Sequence, residues 1–262
     1  MNILVSNDDG IFAEGIKHLA NKLRKMGKIT VVAPDMEMSA TGHAITMHSP
    51  LRVKKINWSH TTVEAYAVNG TPADCVKIGV DILMDDRPDI IFSGINRGAN
   101  LGTDIVYSGT VSAAMEGCLL GIPSIAVSLA GFDDVDFSYA AETAYLLGTK
   151  LMENEFPNDM LFNVNVPNTS RDEIKGIKFT KLGIRKYKEG YIEREDPRGN
   201  PYYWLTGEID NDHMVDDTDI NAVYNKYVSI TPIQYDLTNY KMLDILKESS
   251  VLDEGRKYNF DD

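Results

Sequence analysis

The chain is 262 residues long, with 43% hydrophobic and 25% charged content. These values are ordinary for a globular protein and exclude disordered, collagenous and coiled-coil classes. Its 26 basic and 39 acidic residues give a formal net charge of −13, which excludes a duplex nucleic acid partner needing a basic face but leaves room for a small anion held by a metal ion and backbone amides.

Ile3–Ser6 is a short apolar strand that stops at Asn7-Asp8-Asp9-Gly10. A helix follows in which Ile16, Leu19, Ala20 and Leu23 share one face, with Lys17, Asn21, Lys22 and Arg24 opposite. Gly27 is its expected C-cap, and Ile29–Ala33 is a second strand ended by Pro34-Asp35. Further along, the pattern predicts a helix over Pro72–Leu83, a buried strand over Asp89–Phe92 and a helix over Ser108–Leu120. A strand over Pro123–Ser128, a helix over Phe137–Met152 and a strand over Leu161–Val166 come next. At least five βα steps with strands apolar on both faces predict an α/β fold: a Rossmann-like, doubly wound, mainly parallel sheet covered by helices.

After residue 173 the texture changes. Ile177–Leu182, Tyr187–Arg194, Tyr202–Thr206 and Tyr227–Pro232 are strand-like and aromatic, joined by polar turns such as Pro197-Arg198-Gly199-Asn200. The expected organisation is an α/β catalytic core at 1–173 and a β-rich C-terminal extension at 174–262, which serves either as an arm for self-association or as an ordinary β-extension. Tyr240–Lys247 reads as a closing helix and Glu248–Asp262 as a frayed end. The acids of Asp210–Asp219 and Asp253–Asp262 read as a solvated face and an acidic tail. Cys75 and Cys118 are too few for a disulfide framework and lie in apolar stretches, as buried thiols in a reducing compartment do. The first residues carry no basic region and no long apolar run, so neither a signal peptide nor a membrane span is expected, and the protein reads as cytoplasmic.

Ligands of open α/β sheets sit beyond the carboxyl ends of the strands, which singles out the loops 7–10, 35–43 and 93–110. Asp8 and Asp9 would point to opposite faces within a strand; they converge only if the chain leaves the strand there, and Gly10 permits that bend. Two converging carboxylates call for a cation, and Mg²⁺ or Mn²⁺ is the hard divalent choice for oxygen ligands. The same residues would also serve as an Asx turn capping the next helix, with Asn7 bonding the backbone. In the second loop Ser39 is a neutral oxygen donor, Thr41-Gly42 a turn, and His43 either an acid–base group or a hydrogen-bonded surface residue. In the third, Ser93-Gly94-Ile95-Asn96-Arg97-Gly98-Ala99-Asn100-Leu101-Gly102 is shaped for close backbone approach. Ser108-Gly109-Thr110 opens a helix whose amides suit a phosphate. Neither a Walker A loop nor a Gly-x-Gly-x-x-Gly fingerprint after the first strand is present.

Asn7-Asp8-Asp9-Gly10, Ala33-Pro34-Asp35 leading to Ser39, Gly70-Thr71-Pro72-Ala73-Asp74-Cys75-Val76 and Ser93-Gly94-Ile95-Asn96-Arg97-Gly98 resemble the SurE family of stationary-phase survival nucleotidases. So do Tyr107-Ser108-Gly109-Thr110-Val111-Ser112-Ala113-Ala114-Met115-Glu116-Gly117 and Ser229-Ile230-Thr231-Pro232, in order along residues 1 to about 245. The resemblance implies a metal-dependent phosphatase acting on nucleoside 5′- and 3′-monophosphates, with polyphosphate a substrate of some members. It implies one divalent ion per subunit held by Asp8, Asp9, Ser39 and Asn96, with Asp8, Asp9 and Asn96 catalytic. Asn7, Gly42, His43, Ser108, Gly109 and Thr110 are then the phosphate- or substrate-contacting candidates. It also implies a homodimer or homotetramer built through the C-terminal arm. Two positions depart from the family pattern: Met36, near which a basic residue is usual, and Ala40, where many members have Gly. Two other readings compete. One is an aspartyl-phosphate phosphatase, although that class wants Asp-x-Asp-Gly-Thr and here the acids are adjacent with Ile11 following. The other is a nucleotide-binding module without turnover.

Overall fold

A computed structural model describes residues 1–58, 63–154, 156–188, 190–209, 215–249, 251 and 255. Of the end expected to fray at 248–262, Glu248 closes the last helix with Ser249 as its C-cap, and the rest, with the acidic tail at 253–262, lies outside the described residues apart from Val251 and Gly255, as do residues 210–214 of the acidic stretch.

The strands are β1 (Asn2–Ser6), β2 (Lys28–Pro34), β3 (Val53–Ile56), β4 (Glu64–Val68), β5 (Ile90–Arg97), β6 (Ser124–Ala130) and β7 (Leu161–Pro167). After them come β8 (Ile177–Phe179), β9 (Tyr187–Lys188), β10 (Tyr191–Glu195), β11 (Pro201–Leu205), β12 (Glu208–Ile209) and β13 (Val228–Ile233). The helices are α1 (Glu14–Leu23), α2 (Pro72–Ile78), α3 (Gly109–Leu119), α4 (Ser138–Met152), α5 (Asp219–Tyr224) and α6 (Tyr240–Glu248). The central sheet runs β3-β4-β2-β1-β5-β6-β7-β13-β8. From β4 to β7 every pairing is parallel, while β3 and β13 join antiparallel.

This order positions the site. β1 pairs with β2 on one side and β5 on the other, so the winding reverses between β1 and β5 and a crevice opens beyond their carboxyl ends. Helices α1 and α4 pack together in one layer, and α2 and α3 pack together in another. Ile3, Val5, Val31, Phe92 and Val127 are buried in one core, and Leu4, Val32, Ile91 and Ala113 in a second. Central strands flanked by two such cores must be apolar on both faces, as the sequence pattern required.

Several local expectations change. Helix α1 ends at Leu23 with Arg24 as its right-handed C-cap. Gly27 is instead needed for packing, since a Cβ there would lie 2.1 Å from the Met1 carbonyl oxygen. The helix starting at Pro72 gives way at Gly79–Leu83 to a wider π turn. Strands β3 and β4, which the sequence pattern did not reveal, extend the β2 edge: β3 is exposed almost throughout, and β4 buries Ala65 and Ala67, so neither carries a strong apolar run. Beyond residue 173, β8 and β13 complete the central sheet, whereas β10–β11 and β9–β12 form separate two-stranded ribbons. Among the described residues no helix is long and apolar enough to cross a membrane.

Candidate functional site

The turn after β1 is fixed by its own backbone. Asn7 Nδ2 donates to the Gly10 carbonyl at 2.9 Å, Met38 N–H donates to the Asp8 carbonyl at 2.8 Å and Ile11 N–H to that of Pro34 at 2.9 Å. Gly10 takes φ +92°, a conformation open to glycine and strained for other residues. Helix α1 has Ala13 as its N-cap with no side-chain cap bond, so neither Asp8 nor Asp9 caps it and the Asx-cap alternative is not realised.

The two carboxylates bond to different elements. The Thr110 hydroxyl, in the first turn of α3, donates to Asp8 Oδ1. Gly109 is required for that approach: a Cβ there would lie 2.7 Å from Asp8 Cβ. Asp9 Oδ2 accepts the Arg97 backbone N–H, at the end of β5, at 3.1 Å. Burial raises the Asp8 pKa despite the Thr110 bond. Asp9 is pushed up to about 6 by burial and then by the Asp8 charge, against the Arg97 amide. The pair is therefore electrostatically frustrated as it stands, and a cation between the carboxylates would relieve it.

Ser93–Asn96, read from sequence as loop, belongs to β5. The strand carries a bulge between Gly94 and Asn96 and a cis Gly94–Ile95 peptide, and a Cβ on Gly94 would lie 2.2 Å from the Val127 carbonyl oxygen. Asn96 Nδ2 donates to the Gly98 carbonyl at 2.8 Å, a bond that does not use its Oδ1. Ser39 is exposed and its hydroxyl donates to Glu37 Oε1 at 2.7 Å, so the structure does not bring it onto the aspartates. Glu37 stands near enough for its charge to raise both Asp8 and Asp9. Asn7 Oδ1 is buried without a partner beside Asp8. Among the described residues no three His, Cys, Asp or Glu side chains form a metal cluster. A cation at this crevice would thus rest on two carboxylates and neutral oxygens, a donor set that suits a hard divalent ion.

At the head of α3, Ser108 Oγ accepts the Val111 N–H at 3.1 Å and caps the helix. The Thr110 hydroxyl is committed to Asp8 and the Thr110 amide also lowers that carboxyl's pKa, at a helix start where the dipole is positive. Gly42 N–H donates to the Tyr107 carbonyl at 3.0 Å. His43 Nε2 meets Glu116 Oε2 at 2.7 Å. These two residues are held by α3 and the turn before it.

A family model described as Survival protein SurE matches residues 3–189. The chain belongs to the SurE family. It is 52% identical to the 5′-nucleotidase SurE of Alkaliphilus metalliredigens, with 94% of this chain and 98% of that one covered. It is 51% identical to the 5′-nucleotidase SurE of Carboxydothermus hydrogenoformans, with 94% and 95% covered. The crystal structure of the SurE protein from Aquifex aeolicus matches with a TM-score of 0.83 at 45% identity, over 95% of this chain and 99% of that one.

Sequence reasoning missed the residues that brace this SurE-family site. The Asn100 N–H donates to Asn165 Oδ1 at 2.9 Å, and its Nδ2 to Ser128 Oγ at 2.8 Å. Its carbonyl accepts from Asn163 Nδ2 at 2.8 Å and Asn165 Nδ2 at 2.9 Å. Asn163 and Asn165, two apart on an otherwise apolar strand, were the available signal. Buried Asp219, at the start of α5, accepts the Gly102 and Gly183 amides at 2.7 and 2.8 Å, tying the glycine-rich loop to the C-terminal segment. Glu116 Oε1 also receives Lys77 Nζ at 3.0 Å. Burial alone would raise the Glu116 pKa, but the bonds from His43 and Lys77 outweigh it and hold the carboxyl below the ordinary glutamate value.

Proposed function

We propose that this SurE-family chain hydrolyses nucleoside 5′-monophosphates to nucleoside and inorganic phosphate, with 3′-monophosphates and polyphosphate as further substrates. The observation that carries the reading is the junction of two features at the switch point: a buried Asp8 beside a half-buried Asp9, and the start of α3 packed directly on Asp8. Asp8, Asp9, Ser39 and Asn96 would hold one divalent ion, Mg²⁺ or Mn²⁺, with Ser39 exchanging its Glu37 bond for the ion. When bound, such an ion supplies Lewis acidity to a phosphoryl oxygen.

The chain's own groups do the rest. The start of α3, with the Gly109 amide, receives equatorial phosphate oxygens, its fixed dipole needing no reorganisation as charge shifts. Asp8 Oδ2, which the Thr110 hydroxyl does not engage, accepts the proton of the attacking water. Asn96 orients substrate from the bulged end of β5, and Asn7, Gly42, His43 and Ser108 shape the surrounding loops. The catalytic unit is 1–173. The extension 174–262 adds two strands to the sheet and presents ribbon β10–β11 for a homodimer or homotetramer, in a cytoplasmic enzyme.

The test is a phosphate-release screen of 5′- and 3′-monophosphates and polyphosphate with Mg²⁺ or Mn²⁺, and with EDTA as control. Release that EDTA abolishes is the expected result. Monophosphate binding without release would leave a binding module, and a trapped phosphoryl-Asp8 would replace the hydrolytic scheme with a covalent one.

A further inference from the structure

Residues 38–43 form a short strap between two anchors. At one end the Met38 N–H donates to the Asp8 carbonyl at 2.8 Å. At the other the Gly42 N–H donates to the Tyr107 carbonyl at 3.0 Å, and His43 meets Glu116 at 2.7 Å. Between them Thr41 Oγ1 donates back to the Met38 carbonyl at 2.9 Å, and Ala40 and Gly42 both take φ of +56°. Ser39 thus sits on a tight loop whose reach is set by where its ends are held. One end is tied to the aspartate turn itself. The other is tied to α3, whose first turn carries the Thr110 bond to Asp8.

The far anchor is unusual for a surface loop. The Glu116 side chain is 7% exposed, and its two oxygens go to two groups from different elements, the His43 ring at 2.7 Å and the Lys77 ammonium of α2 at 3.0 Å. A carboxylate in such a place is costly unless both oxygens are engaged. Engaging them ties the strap, α2 and α3 into one unit.

We infer that Glu116 is a positioning residue for the proposed reaction: through His43 it fixes the far end of the strap and so sets the reach of Ser39 toward the aspartate pair. Glu116 touches no substrate. It acts on the ion and on turnover only through the strap. This inference rests on the reading that Ser39 helps hold the ion, and it adds a residue set back from the crevice whose loss loosens that hold.

The experiment compares wild type with Glu116→Gln, His43→Ala, the double variant, and Lys77→Met, which leaves the His43 bond intact. Three quantities are read: Mn²⁺ affinity by titration, kcat and KM for nucleoside monophosphate at saturating Mn²⁺, and amide exchange at residues 39–43. Glu116→Gln and His43→Ala are each expected to weaken Mn²⁺ binding roughly tenfold, within the range for lost outer-shell partners. They should also speed exchange at Gly42, while kcat at saturating ion falls less than threefold. The double variant should be no worse than either single one, because both cut the same link, and Lys77→Met should have the smaller effect. Unchanged Gly42 exchange in both single variants, or fully additive losses, would overturn the latch. A wild type that shows the exchange differences but releases no phosphate would keep the latch and remove the nucleotidase reading. Exchange differences with unaltered Mn²⁺ affinity would overturn the role assigned to Glu116.

Discussion

The Thr110 hydroxyl donates to Oδ1 of Asp8 across 102 residues of chain, joining the first turn of α3 to the turn after β1. That bond spans the switch-point crevice and partly offsets the burial that raises the Asp8 pKa. Thr110→Val keeps the shape and deletes the donor. It should cost about 1–3 kcal/mol of stability at neutral pH, because a buried acceptor loses its partner. Turnover should fall on the order of 10- to 100-fold, as when an outer-shell partner of a metal ligand is lost. Urea unfolding and phosphate release measure the two effects. A variant with wild-type values for both would show that the bond has no part in the site.

Asp9 illustrates a conflict between stability and function. Without an ion its half-buried carboxyl lies beside that of Asp8 and is pushed up to about 6, so its charge at neutral pH works against folding. Asp9→Asn should therefore stabilise the metal-free protein at pH 7.5, by on the order of 1–3 kcal/mol, while abolishing metal-dependent phosphate release. Unfolding in EDTA is the measurement. A destabilised Asp9→Asn protein would mean that the pair is compensated by the fold itself and awaits no cation.

The same residue sets a pH window. The unfolded carboxyl titrates near 3.8 and the folded one near 6, so the folded protein binds more protons between those values. The Asp9 contribution is then fully present below about pH 4 and is lost as pH rises toward about 6. Divalent ions need the deprotonated carboxylate, so Mn²⁺ affinity should climb as pH rises through about 6, where Asp9 deprotonates. Titrations from pH 5 to 7.5, with Asp9→Asn as reference, test this. An affinity flat across that range would contradict it.

The βα rhythm was legible because central strands apolar on both faces and helices apolar on one face leave distinct periodicities, as in β1, α1 and β2. The Asn7–Gly10 turn was legible because a glycine after a short apolar strand permits a bend, which Gly10 makes at φ +92°. Other features leave little local trace. Edge strand β3 exposes Lys54 and Lys55 and so carries no buried face to betray it. The Asn100 network and the Glu116 bridge join residues that only the finished fold brings together. Ser108 and Thr110 were read as phosphate-contacting candidates from their place at a helix start; that their hydroxyls serve the helix cap and Asp8 depends on how closely α3 meets the turn after β1.

Ala40 occupies the left-handed region at φ +56° in the middle of the strap, where a side chain costs about 1–2 kcal/mol. Glycine adopts that conformation freely but loses more chain entropy on folding, roughly 0.5–1 kcal/mol. Ala40→Gly should therefore raise stability slightly, by roughly 0.5–1 kcal/mol net, visible as an upward shift in Tm. A lower Tm would show that the alanine methyl makes packing contacts worth more than the strain it causes.

The ribbon β10–β11 makes the last prediction. Its pairs Tyr191–Leu205 and Glu193–Tyr203 lie on one face, and Ile192–Trp204 and Arg194–Tyr202 on the other. Both faces thus present large apolar side chains, with Tyr191 69%, Trp204 64% and Leu205 75% exposed in the single chain. A two-stranded ribbon is marginal in water by itself, and exposed apolar groups gathered on both faces mark a contact surface. A second copy of the chain is the expected cover. Light scattering after gel filtration should find a dimer or tetramer, and Trp204→Asp together with Leu205→Asp should shift it toward monomer while Tm falls. Because the crevice is built from β1, β5 and α3, the monomer should keep measurable phosphate release. A wild-type monomer at micromolar concentration would rule out the contact.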